Sequence, residues 1–171
     1  VDSLSNYPTE AVDKLTDISA FEPSAEAILA FEPTHVLISY DPGIVDQLKA
    51  ADPDIVIWTG DMATSIDGVY SQITELGEVT GKQTEAEELV ASMKDRIAKA
   101  TEGITAPPGT SVFYEVDDNL FSLTSNTFVG TLMAPFGVTN VADGVEQGND
   151  YPQLNAEAII AANPTVISLA D

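Results

Sequence analysis

The segment Ala25-Glu26-Ala27-Ile28-Leu29-Ala30-Phe31-Glu32-Pro33-Thr34 recurs almost residue for residue as Ala156-Glu157-Ala158-Ile159-Ile160-Ala161-Ala162-Asn163-Pro164-Thr165. Each copy runs straight into a short apolar stretch, Val36-Leu37-Ile38-Ser39 or Val166-Ile167-Ser168-Leu169. Each is preceded by an aromatic residue beside a proline, Phe21 with Pro23 and Tyr151 with Pro152. Ala, Glu and Ile are common helix formers, so two similar units can arise independently. The shared Ala-Glu-Ala-Ile and Pro-Thr stay in register, however, and we read the pair as an internal repeat. A repeated helix-then-strand unit implies two lobes of like design.

The apolar runs between the turns agree. Val36-Leu37-Ile38, Ile55-Val56-Ile57-Trp58, Val112-Phe113-Tyr114 and Val166-Ile167-Ser168-Leu169 are short, β-branched and continuous rather than alternating. That pattern suits parallel strands buried on both faces. Helical segments lie between them. Ser24 can cap Ala25 to Glu32, ahead of Pro33. A short helix fits Ile44 to Ala51. Ser65 can cap a helix that stops near Gly77, Asn126 or Thr127 one that stops near Gly137, and Asn155 can cap Ala156 to Ala162. Strands alternating with helices across Gly/Pro turns give an α/β fold with two Rossmann-like lobes.

One helix stands out. Over Glu85 to Glu102, Thr84 and Glu87 have capping-box spacing, acids fill the first turn, and Lys94, Arg96 and Lys99 lie toward the end. Ala86, Leu89, Val90, Met93, Ile97 and Ala100 form one apolar face. The expected organisation is a first lobe over 1–83, an interlobe backbone helix over 84–103 and the beginning of a second lobe over 104–171. The second repeat ends directly after its strand, and a sheet of one or two parallel strands is not self-sufficient. The second lobe is therefore read as incomplete, and the first as missing its first strand.

Composition narrows the function. The 171 residues carry 28 acidic and 6 basic side chains, a formal net charge of -22. Such a surface does not neutralise phosphates, so nucleic acid and anionic membranes are excluded as main partners. Hydrophobic residues make up 44%, enough for a core, so this is not a disordered acidic tail. There is no Cys, hence no disulfide or thiolate chemistry. His35 is the single histidine and cannot by itself build a transition-metal site. The Asp/Asn clusters leave a Ca²⁺ site open, although none has EF-hand spacing. No phosphate loop and no Gly-x-Ser-x-Gly elbow is present, and with 28 acids any carboxylate pair is weak support for an enzyme. The chain is read as a non-enzyme with no intrinsic cofactor. No run of about 18 apolar residues is present to span a membrane.

Several residues together carry a family resemblance. They are Asn6-Tyr7-Pro8 with Glu10, Ala20-Phe21, Ala25-Glu26-Ala27-Ile28 with Glu32-Pro33, and Leu76-Gly77-Glu78-Val79-Thr80-Gly81-Lys82 ahead of the long helix. Farther on come Phe113-Tyr114-Glu115-Val116, Asn140-Val141-Ala142 and Tyr151-Pro152-Gln153-Leu154 before Glu157. The chain resembles the helical-backbone class of ABC-transporter substrate-binding proteins, which includes cobalamin, ferric-siderophore and haem binders. The resemblance implies an extracytoplasmic protein, periplasmic or lipid-anchored at the cell surface. It would capture cobalamin, haem or a ferric siderophore in an interlobe cleft and deliver it to a permease. It also implies that aromatics at Phe21 and Tyr151 face the ligand, and that Glu26 and Glu157 dock the ABC permease subunits. A sensor or surface-binding module on the same fold, without transport, remains the alternative.

The residues themselves add candidates. Tyr40 and the Asp117-Asp118-Asn119 group follow strands, where open α/β sheets place ligand sites. Tyr7 is a further ligand candidate, with anchoring of the Pro8 turn as its other reading. Trp58 is assigned to core or lobe-edge packing, and His35, which opens a strand, to a structural role. Each repeated glutamate lies in the first turn of its helix, where the dipole alone favours a carboxylate by about 0.3–1 kcal/mol.

Overall fold

The computed structural model describes residues 1–19 and 21–170. The chain divides into two compact units, Val1–Met62 and Ala63–Asp171.

The first unit begins with a short 3-10 turn, Thr9–Lys14, followed by α1 (Ala25–Leu29), β1 (His35–Ile38), α2 (Val45–Ala51) and β2 (Val56–Thr59). Ser24 caps α1 by accepting a hydrogen bond from the Ala27 amide at 3.3 Å. The helix is shorter than the sequence suggests, because Glu32 turns into the left-handed region (φ 48°) and Pro33 forbids a further turn. Asp41 starts α2, its Oδ1 accepting from the amides of Gly43, Ile44 and Val45 at 2.8, 2.9 and 3.2 Å. Lys49 ends it, Nζ donating to the Ile55 carbonyl at 2.6 Å. β1 and β2 pair in parallel from His35 opposite Val56 to Ile38 opposite Thr59. Ala25, Val36, Ile44, Leu48 and Ile55 form the core.

The second unit contains α3 (Ile66–Thr80), α4 (Gln83–Thr101), β3 (Ser111–Glu115), α5 (Phe128–Met133), β4 (Thr139–Asn140), α6 (Ala156–Ala162) and β5 (Val166–Leu169). Its sheet runs β4-β3-β5, all parallel. Asn155 caps α6 through the Ala158 amide at 2.8 Å, the counterpart of Ser24 on α1. Phe113, Ala142, Leu154 and Ile159 form its core. The two-residue strand β4 was not picked out from sequence. Its Asn140 side chain, buried and donating to the Leu123 carbonyl at 2.8 Å, fixes the loop that follows β3.

Four expectations need correction. The strands are not buried on both faces: Val36 is buried, while Leu37, Val56, Val166, Ile167 and Leu169 are exposed. Gly77 does not stop α3. The helix passes through it and ends at Gly81, whose φ of 68° suits glycine. Gly77 is there for close packing, since a Cβ on it would stand 2.5 Å from the Ala86 Cβ and 3.1 Å from the Lys82 carbonyl. The capping box does not form, because α4 starts at Gln83, two residues before Glu85, and puts Thr84 inside the helix. A Lys82–Glu85 ion pair at 2.8 Å stands at that end instead. The apolar face of α4 is covered only in part, with Ala86 buried against α3 but Leu89 and Ile97 exposed.

Within the second unit, α3 packs against α4. Among the described residues no helix is long and apolar enough to cross a membrane.

The two glycines of α3 should respond oppositely to alanine. Gly77→Ala forces the helices apart, and the overpacking outweighs the propensity gain, for a net loss of about 1–2 kcal/mol. Gly68 has only ordinary contacts, the nearest being the Ala63 Cβ at 3.4 Å. Gly68→Ala should be neutral or stabilising by up to about 1 kcal/mol. Urea denaturation of both variants checks the pair.

Candidate functional site

In the first unit, β1 carries the chain to Tyr40 and the Asp41 cap holds the next turn. The Tyr40 hydroxyl donates to the Phe21 carbonyl at 2.9 Å, joining two candidates that lie 19 residues apart. Phe21 sits in a loop closed by Ser19, whose Oγ accepts from the Phe21 and Glu22 amides at 3.2 and 3.0 Å. The Phe21 residue is 70% exposed and Tyr40 47%. Tyr7 is 87% exposed, and none of the hydrogen bonds described here ties it to either. The aromatic pair stands just before the capped end of α1, where Glu26 is exposed.

A cavity of about 620 Å³ also lies in this unit. All of residues 35–40 line it, odd and even alike, together with Val1, Ser5 and Ile18. Residues of alternating direction can share a cavity only along a strand edge. It is therefore the groove beside the edge of β1 away from β2. Tyr40 borders it, and Phe21 does not.

In the second unit the loop after β3 is fastened to the segment before α6. Asp117 Oδ1 accepts from the amides of Asn119 and Phe121 at 3.0 and 3.3 Å. The Asn119 side chain donates to Asp118 at 3.2 Å. Gln153 Nε2 donates to the Asn119 carbonyl at 3.0 Å, and Phe121 pairs with Gln153 as an isolated antiparallel bridge. Tyr151, 55% exposed, stands two residues before Gln153. The Asp117 carboxylate thus holds the loop's backbone, while the register of the Phe121–Gln153 bridge sets Tyr151 level with Leu123 rather than with Asp117 or Asn119. Exposed Glu157 follows in the first turn of α6.

A polar network that sequence reasoning missed supports this segment. Asp150 accepts from Thr124 Oγ1 at 2.6 Å and Asn126 Nδ2 at 3.1 Å. The Thr124 bond, then that of Asn126, holds its carboxyl below the ordinary value. Asp143 accepts from the Ser125 amide and hydroxyl at 2.8 and 2.7 Å. The signal was present as Thr124-Ser125-Asn126-Thr127, four hydrogen-bonding residues in succession between apolar stretches. His35, exposed, has its ring Nδ1 within hydrogen-bond distance of Thr34 Oγ1 at 2.9 Å. Among the described residues no group of three or more His, Asp or Glu is placed to hold a metal.

The family model described as periplasmic binding protein matches residues 1–171. The chain belongs to that family. It is similar to a cobalamin-binding protein of Halobacterium salinarum, 29% identical over 157 residues, covering 89% of this chain and 42% of the relative. It is also similar to a ferric enterobactin-binding periplasmic protein of Escherichia coli, 30% identical over 164 residues, with 86% and 50% covered. Among solved structures, a periplasmic haem-binding protein from Roseiflexus superposes with a TM-score of 0.70 at 28% identity, covering all of this chain and 67% of that one. The periplasmic binding protein chain thus spans about half the length of the curated relatives it matches. These relatives are solute binders rather than enzymes, and the parallel α/β architecture is theirs.

Asp150 gives the pH test. Its carboxyl is lowered in the folded state, so its contribution is present above the ordinary value of 3.8 and is lost as pH falls through the folded value. Asp150→Asn should lower the melting temperature near neutral pH. The gap to wild type should close as the pH is taken well below about 3.8.

Proposed function

We propose that this periplasmic binding protein is the extracytoplasmic solute-binding component of an ABC importer for cobalamin or a related iron or corrin chelate. Its cargo would be cobalamin, haem or a ferric siderophore, handed to the permease without covalent change. One observation carries the reading: in each unit an exposed aromatic, Phe21 or Tyr151, precedes a side-chain-capped repeat helix whose second residue is an exposed glutamate. Large, flat and partly apolar chelates are held by aromatic faces with a few fixed polar groups around them. Each unit supplies such a segment, Phe21 with Tyr40 in the first and Tyr151 with Asn119 and Asp117 in the second. Tyr7 contributes a further exposed ring. The similarity to a cobalamin-binding protein supports the corrin end of the range.

The glutamates are assigned to the permease. Glu26 and Glu157 occupy matching places on the two repeat helices, so a permease of two subunits can meet them equivalently. Cationic residues on those subunits are the complementary chemistry.

Titration with cyanocobalamin, haemin and ferric siderophores tests the cargo. One of them should bind with a dissociation constant of about 1 μM or tighter. No binding across the panel overturns the ligand class. For docking, Glu26→Ala with Glu157→Ala should slow transport by about tenfold or more and leave ligand affinity within about twofold. Unchanged transport overturns the assignment.

A further inference from the structure

We infer that Tyr40 is a positioning residue, whose hydroxyl presets Phe21 for the ligand rather than reaching the ligand itself. The inference rests on the chelate-binding reading above and divides the work between two residues that sequence alone treated alike.

The two ends of the Tyr40–Phe21 bond differ in how firmly they are held. Tyr40 leaves β1, which is paired with β2 along its length and closed by the Gly60 amide donating to the Ile38 carbonyl at 2.8 Å. On its other side, Asp41 accepts three amides at the start of α2. Tyr40 is thus bracketed by a strand and a cap. Phe21 has neither: its amide and that of Glu22 share one local acceptor, Ser19 Oγ, and its ring is largely in solvent. The phenol donates its proton to the Phe21 carbonyl at 2.9 Å, a good geometry for an O–H donor. While that bond stands, the Tyr40 hydroxyl has no proton to give a ligand.

A loop aromatic that must be ordered when ligand arrives weakens binding, whereas one ordered beforehand does not. The Tyr40 bond ties the Phe21 backbone to the rigid end of the sheet. The second unit uses a different side chain for the same purpose, Gln153 donating to the Asn119 carbonyl two residues from Tyr151. In both units a side-chain donor joins a post-strand loop to the aromatic segment before a repeat helix.

The test compares wild type, Tyr40→Phe, Phe21→Ala and the double variant, using cyanocobalamin, haemin or a ferric siderophore, whichever wild type binds. Tyr40→Phe keeps the ring and removes only the donor. It should weaken binding about three- to tenfold, as expected for one lost hydrogen bond, and do so only when Phe21 is present. A Tyr40→Phe loss of equal size in the Phe21→Ala background overturns the inference, because Tyr40 would then act on the ligand directly. Amide order parameters from nuclear magnetic resonance provide a readout without ligand. They should fall at Phe21 and Glu22 in Tyr40→Phe and stay constant at Ile44 and Val45. Unchanged values at Phe21 and Glu22 overturn the tether. Should wild type bind no probe, the chelate reading fails and the order parameters alone decide whether Tyr40 holds Phe21.

Discussion

Parallel strands cannot be joined by a tight turn, and that constraint organises the whole chain. Among the described strands, α2 lies between β1 and β2, α5 between β3 and β4, and α6 between β4 and β5. At the two repeats a side chain caps the helix that leads into the strand, Ser24 and Asn155 accepting from Ala27 and Ala158. The cap sets where the helix begins. Pro33 or Pro164 lies where it must end, and the strand follows at once. The segment before each cap is left at the ends of the strands, where backbone groups and loop side chains are free to serve a ligand. Phe21 and Tyr151 occupy that segment in the two units.

Much of this was legible because it is local. Strand positions follow from β-branched runs between turns, and Ser24, Ser65, Thr127 and Asn155 all cap as their spacing suggests. The failures have local causes too. Gly77 looks like a helix stop, but its purpose lies nine residues away in Ala86, which no period reveals. Thr84 matches a capping box, yet Gly81 ends α3 so abruptly that α4 can begin at Gln83. The strand exposures were misjudged because continuous apolar runs state a preference for burial and do not say what covers them. The links between site residues were not legible at all. The Tyr40–Phe21 and Gln153–Asn119 bonds join positions 19 and 34 residues apart, so they depend on the sheet having formed.

The acidic surface takes a more limited meaning. Of the carboxylates, Asp41, Asp117, Asp143 and Asp150 hold backbone or side-chain donors in loops. Their business is loop geometry, which in turn sets the aromatic segments. Glu26 and Glu157 are set apart by their matched places in the first turns of the two repeat helices. Glu85 and Asp95 instead pair with lysines, Lys82 and Lys99, along α4.

The central claim is that both repeats present the ligand-facing segment. Hydrogen exchange with and without bound cyanocobalamin tests it most directly, read by mass spectrometry along the whole chain. The account predicts slower exchange in residues 21–24 and 40–43 of the first unit and in residues 117–121 and 149–153 of the second. Protection confined to one unit, or to the groove beside β1 and the exposed side of α4, would contradict it.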